Sequence, residues 1–340
     1  MSAGQTRRRG AVAVLAVALL VAGCGDDAGD PPSSTQSEAN MFSNPVIRAD
    51  APDPQILPVG DAWWLFHTNS GGRNVPVRRS ADLVDWSEPV DALPELPAWA
   101  DPGRTWAPEV IALGPQRYLL YYTVAGRESG RQCVGRAVAS RPEGPYRDDS
   151  DRPLICQAEL GGAIDASPFR DFDGSLWLLW KNDGNAIGVD TWIWSQRLSA
   201  DGLRLEGEPT KLLRQTEPWE GTLIEGPFLH RQDGRLYLFY AANAYDRAEY
   251  AEGYAVCESP TGPCVKAPEN PILKANEVAT GPGHASMVVK DGKTWLVYHA
   301  WPPGREGSTD PGRQVWLDEV VWTDGRPVVR GPNAEPQPRP

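Results

Sequence analysis

The sequence has no apolar run long enough to cross a bilayer. Its longest, the twelve residues from Ala11 to Ala22, falls well short of the ~20 a spanning helix needs. Beyond Arg7, Arg8 and Arg9 there is no Lys/Arg-rich run, and with Lys+Arg 33 against Asp+Glu 45 the net charge is −12, which sets aside nucleic acid as a partner. Uninterrupted helical stretches are scarce too: Gly 34 and Pro 33 in 340 residues exclude a helical bundle. What is plentiful is aromatic, with Trp 14, Tyr 10 and Phe 6, residues that favour strands. At 41% hydrophobic and 23% charged the chain is not wholly disordered, and the composition predicts a mostly β fold.

The three arginines followed by a short apolar core read as a signal peptide over residues 1–23. Val21-Ala22-Gly23-Cys24 resembles the bacterial lipobox, which implies lipidation of Cys24 and anchoring at the outer face of a bacterial cell membrane. An ordinary secreted protein with a cysteine at its cleavage site is the alternative. Residues 24–43 are polar, with Asp, Pro and Ser clusters, and read as a flexible tether reaching at most ~65 Å. The membrane is then a partner only through the lipid anchor.

With Cys24 set apart, four cysteines remain as two local pairs, Cys133 with Cys156 and Cys257 with Cys264. Neither pair has metal-ligand spacing with a histidine nearby, so structural disulfides are expected in an exported chain.

One pattern recurs along the rest of the chain. Trp64-Leu65-Phe66-His67, Tyr118-Leu119-Leu120-Tyr121, Trp177-Leu178-Leu179-Trp180, Tyr237-Leu238-Phe239-Tyr240 and Trp295-Leu296-Val297-Tyr298 follow one another at 54 to 60 residues. Each is preceded by a turn, such as Asp173-Gly174 or Asp291-Gly292, that closes a hairpin. A period near 58 holds about four strands, the content of one propeller blade. The expected fold is all-β: a single-domain, five-bladed β-propeller over residues 44–330 with a frayed tail at 331–340. A β-sandwich would not impose so even a spacing. Ala241 to Glu252, free of proline and polar, reads as a loop with a helical turn, although it holds no motif.

Eleven or twelve residues before each anchor stand Asp53, Trp106, Asp165, Glu225 and His284. Equivalent inner-strand positions ring the axis of a propeller, so three carboxylates, an indole and an imidazole converge. An aspartate in Ala51-Pro52-Asp53-Pro54 taken alone could merely bond a turn; three carboxylates at one repeat phase read as a site. Charged groups sharing a confined space raise one another's proton affinity and cost stability unless they serve a purpose.

Ala51-Pro52-Asp53-Pro54, Trp106-Ala107-Pro108-Glu109, Ile164-Asp165-Ala166-Ser167-Pro168-Phe169, Ile224-Glu225-Gly226-Pro227-Phe228 and Gly281-Pro282-Gly283-His284, in this order, resemble glycoside hydrolase family 43 over residues 44 to 325. The resemblance implies an inverting glycosidase acting on arabinofuranosyl or xylosyl linkages of plant-type polysaccharides. Asp53 would be the general base, Glu225 the general acid and Asp165 the residue that tunes and orients the acid. Trp106 would stack on the sugar, with a core role as the alternative. Arg313 resembles a substrate-side arginine, the alternative being a blade-closing salt bridge. His284 stays open between a satisfied axial histidine and a neighbour of a calcium ion; no cofactor is required for the acid–base chemistry. Glu109 is out of phase and reads as structural, and Lys181 to Asn185 as a loop over the mouth.

Two further functions remain in view. A related five-bladed fructosidase or sialidase type is disfavoured because fructosidases carry Asn before Asp-Pro, where Pro52 stands here. A non-catalytic glycan-binding lipoprotein, or a purely structural propeller, would not need all three carboxylates.

Overall fold

The computed structural model describes residues 40–340. The expected signal peptide, Cys24 and the expected tether up to residue 39 lie outside the described residues.

Five small antiparallel sheets follow one another along the chain, each a meander of sequence-adjacent strands. Blade 1 pairs Gln55–Val59, Ala62–Phe66, Pro76–Ser80 and Val90–Asp91; blade 2 pairs Ala100–Gly114, Arg117–Gly126 and Gln132–Ala139. Blade 3 is built from Ala163–Arg170, Leu176–Asn182, Trp192–Leu198 and Leu205–Arg214, and blade 4 from Ile224–Gln232, Arg235–Ala242, Ala251–Cys257 and Cys264–Lys266. Thr280–Lys290, Lys293–Trp301, Gln314–Thr323 and Arg326–Val329 complete blade 5. Four strands per blade hold for all but blade 2, whose fourth place is taken by an irregular segment touching the sheet at Val138 with Arg147 and Val134 with Ile155. Between Ala242 and Ala251 the expected helical turn is absent; the chain makes only hydrogen-bonded turns there.

The recurrent anchors are the second strands of the blades, and the packing explains their composition. Side chains alternate across a strand, so both faces need apolar residues when a sheet is sandwiched between two others. In blade 2, Tyr118, Leu120 and Tyr122 pack towards blade 1, while Leu119 and Tyr121 pack towards blade 3. Five apolar clusters result, one at each junction between blades. Each large side chain so buried is worth roughly 1.5–3 kcal/mol.

Closure corrects two expected boundaries. Met41–Phe42 pairs with Gln337–Pro338, Phe42 packs against Trp295 with ring centroids 6.2 Å apart, and Arg339 bonds Asp82 at 2.6 Å and Asp85 at 2.9 Å. Residues 40–43 are therefore part of the domain rather than the end of a tether, and 331–340 is not frayed. The buried Asn44 fixes the seam, donating to Leu317 O at 3.0 Å and Asn333 O at 3.0 Å while accepting from Leu317 N at 2.9 Å. A ring of blades must join its first and last segments, and both ends of the described chain are used for this.

Both expected disulfides are present. Cys257 and Cys264 are register partners that staple the third and fourth strands of blade 4.

Candidate active site

Within or just before every inner strand one residue adopts a left-handed backbone: Asp53 (φ 55°), Ala107 (φ 41°), Asp165 (φ 57°), Gly226 (φ 56°) and His284 (φ 51°). Four of these carry a Cβ and cost about 1–3 kcal/mol each in this region, strain that persists only where the surroundings impose it. The pairing register slips at the same places, between Trp106 and Glu109, Glu225 and Phe228, and Gly283 and Ser286. Such a bulge re-aims a side chain out of the pleat. In blades 1, 3 and 5 the kinked residue itself enters the axial pocket; in blades 2 and 4 the kink falls one residue later and the preceding Trp106 and Glu225 enter.

These five residues and Arg313 line one cavity of about 260 Å³. The structure thus brings together all six side chains expected at the site. Trp106 is half-buried and open to the cavity, while Glu109 lies outside it, accepting a 2.9 Å hydrogen bond from Ser167. Burial pushes the Glu109 carboxyl up to about 8, the Ser167 bond opposing.

One side of the cavity holds Asp53. Its Oδ1 lies 2.9 Å from Arg313 Nη1 and 3.4 Å from His284 Nδ1, and its Oδ2 accepts the Thr68 hydroxyl. Burial would favour the neutral acid, but Arg313 first, with His284 and the Thr68 bond, outweighs it and holds the carboxyl well below its ordinary range. His299 takes no part as a cation. The Asp53 N–H donates to its Nδ1 at 3.1 Å, so that nitrogen carries no proton, and burial first, then Arg313, keeps the ring neutral. Its approach of 3.3 Å to the carboxylate is therefore a contact and not an ion pair. Arg313 is held in turn by the rings of Tyr245 at 4.7 Å and Trp301 at 6.0 Å.

The other side holds Glu225 and Asp165. Glu225 Oε2 accepts from Lys181 Nζ at 3.0 Å, and Oε1 from the Tyr250 hydroxyl at 2.9 Å. Asp165 Oδ2 accepts the Gly226 N–H at 2.9 Å, gripping the backbone beside Glu225. Burial and the Glu225 charge push Asp165 up to about 6 against the pull of His284 and Lys181. The cavity therefore sets an ionised carboxylate on one side against Asp165, whose proton affinity is raised, beside Glu225 on the other.

Sequence reasoning did not find Thr68, Lys181, Tyr250 and His299. Three of these share a phase: Thr68, Lys181 and His299 each directly follow a four-residue aromatic anchor, where a polar residue closes an otherwise apolar second strand. That polar position was the available signal. Tyr250 comes from the loop before the third strand of blade 4 and carries none. Lys181 to Asn185 was expected over the mouth; Lys181 is fully buried at the end of a strand, and Asp183 and Asn185 line the cavity.

Among the described residues no three His, Cys, Asp or Glu side chains converge as a metal-ligand set. His284 Nδ1 and Arg313 Nη1 both face Asp53 Oδ1, at 3.4 Å and 2.9 Å.

Comparisons with known proteins agree with this geometry. The family model described as Glycosyl hydrolases family 43 matches residues 42–327. A "Beta-D-galactofuranosidase xynD" of Aspergillus niger is 28% identical over 284 residues, 78% of this chain and 78% of that protein. A "Xylosidase/arabinosidase" of Butyrivibrio fibrisolvens is 26% identical over 307 residues, 85% of this chain but 56% of that longer protein. Among solved structures, a thermostable family-43 glycoside hydrolase superposes with a TM-score of 0.78 at 31% identity, over 88% of this chain and 99% of its own.

Proposed function

Because the chain belongs to family 43 of the glycosyl hydrolases and is a glycosidase, we propose that it hydrolyses arabinofuranosyl or xylosyl linkages with inversion, using Asp53 as base and Glu225 as acid. The observation that carries this reading is the polarity of the cavity: Arg313 keeps Asp53 ionised on one side, while Asp165, with its raised proton affinity, grips the backbone beside Glu225 on the other.

In this mechanism Asp53 removes a proton from water as the water oxygen attacks the anomeric carbon. The glycosidic C–O bond breaks on the opposite face, and Glu225 gives its proton to the departing oxygen. One water is consumed, and the new hydroxyl has the opposite anomeric configuration. Asp165 keeps a proton available to Glu225 through like-charge repulsion. Trp106 offers its ring to the sugar face.

The names of the relatives support pentosyl substrates and add a furanose of six carbons as a test compound. Nitrophenyl arabinofuranoside, xyloside and galactofuranoside, alongside linear arabinan and with or without a chelator, separate these substrates and test for a calcium requirement. Proton NMR within the first minutes of hydrolysis is expected to show the anomer opposite to the substrate. A retained anomer, or a covalent adduct on Asp53, overturns the inverting assignment.

The location belongs to the proposal as well: Cys24 carries a lipid, and the enzyme works at the outer face of a bacterial membrane on carbohydrate outside the cell. No helix among the described residues is long and apolar enough to cross a membrane.

A further inference from the structure

Lys181 has no exposed side-chain surface, yet its ammonium lies 3.0 Å from Glu225 Oε2 and 3.7 Å from Asp183 Oδ1. Enclosing an ammonium costs several kcal/mol before pairing, and packing alone would be served more cheaply by an apolar side chain of similar length. Here the pairing is made with the carboxyl whose proton the reaction needs. Burial alone would strip the lysine of its proton; Glu225, Asp165 and Asp183 outweigh that and keep it charged.

The groups facing Glu225 are mostly of one sign. Asp165 lies beside it on blade 3 and Asp183 follows Lys181, while Glu252, two strands away in the register Glu225, Ala241, Glu252, is pushed by burial towards its neutral form. Tyr250 donates to it, and the His284 ring stands against Gly226. Without a cation in contact, the charge of Asp165 and Asp183 would oppose the negative charge left on Glu225 when it gives up its proton. Lys181 is the cation in contact that opposes them.

We propose that Lys181 is a positioning residue that sets the strength of the acid: it orients Glu225 and stabilises the carboxylate left when the proton passes to the leaving oxygen. This rests on Glu225 being the acid. The lysine contacts Glu225 rather than the reacting atoms, and its effect is read through the alkaline limb of kcat/KM, which reports the acid in the free enzyme.

The experiment measures that limb for the wild type, Lys181→Met and Asp183→Asn, with Glu225→Gln assayed on poor and good leaving groups alongside. Removing a cation in contact raises the acid, so Lys181→Met is expected to move the limb up by about 1–3 pH units. A weaker acid assists departure less, so the same variant is expected to lose roughly tenfold on a natural glycoside and less on a nitrophenyl glycoside. Asp183→Asn removes a negative neighbour and is expected to move the limb down, a shift of opposite sign that general damage to the fold would not imitate.

An unmoved limb in folded Lys181→Met overturns the proposal. Where that variant does not fold, Asp183→Asn decides, and a limb that stays or rises overturns it. If Glu225→Gln still shows its dependence on the leaving group, only the role of Lys181 falls; if that dependence is absent, the acid assignment falls first.

Discussion

Replacing Arg313 with methionine tests the proposed base, Asp53, directly. The guanidinium sits 2.9 Å from Asp53 Oδ1, with side-chain exposures of 13% and 10%, so water screens the pair little. An opposite charge at this range lowers a carboxyl by about 1–3 pH units, equivalent to ~1.4–4 kcal/mol at 1.36 kcal/mol per unit. Without Arg313 the burial of Asp53 is opposed only by its remaining neighbours, and its proton affinity rises. The acidic limb of kcat/KM should move up by that amount, with activity near pH 5 falling further than activity near pH 8.

Stability follows the same sign. The native carboxyl is depressed, so its contribution is present above the ordinary aspartate value and is lost as pH falls through the native one. The stability gap between wild type and Arg313→Met should be full near neutrality and shrink as pH drops below the raised value in the variant. Thermal melts from pH 3 to 8, paired with rate profiles on a nitrophenyl glycoside, measure both. A folded variant with an unmoved acidic limb would refute the claim that Arg313 keeps the base ionised.

Three other outcomes are expected. Glu225→Gln should lose most on natural polysaccharide and much less on a nitrophenyl glycoside; equal losses on both would remove Glu225 from the acid role. Cys24→Ser should release the protein from the membrane fraction of its native host, and a soluble wild type would end the lipid-anchor reading. Replacing Cys257 and Cys264 with serine opens a short loop and should cost about 2–3 kcal/mol of stability while leaving the pH profile in place; a changed profile would show that the staple reaches the site.

The repeat made the architecture legible because a blade buries both faces of its second strand, so five aromatic anchors had to appear at near-constant spacing. It also exposed Asp53, Asp165 and Glu225, since one phase of the repeat points at the axis. The one-residue offset at Ala107 and Gly226 was not legible: the bulge that places Trp106 and Glu225 is a backbone event with no fixed residue type. Lys181 and His299 were hidden among apolar neighbours on second strands, where a single polar residue looks like an edge effect until its partner across a blade junction is known. The clasp of the two ends escaped notice because Met41–Phe42 and Gln337–Pro338 are too short to show alternation.

That clasp decides how the enzyme can be handled. In blade 5 the inner strand runs from His284 at the pocket to Lys290, six residues or about 20 Å further on. Lys290 Nζ donates to Pro340 O at 2.8 Å, and Arg339 N donates to Asn40 O at 3.0 Å. Both ends of the described chain therefore emerge at the pole remote from the sugar pocket. A carbohydrate-binding module fused after Pro340, or a bead coupled there, would leave the mouth unobstructed, so the protein should tolerate immobilisation with its kinetics towards bulky polymers intact.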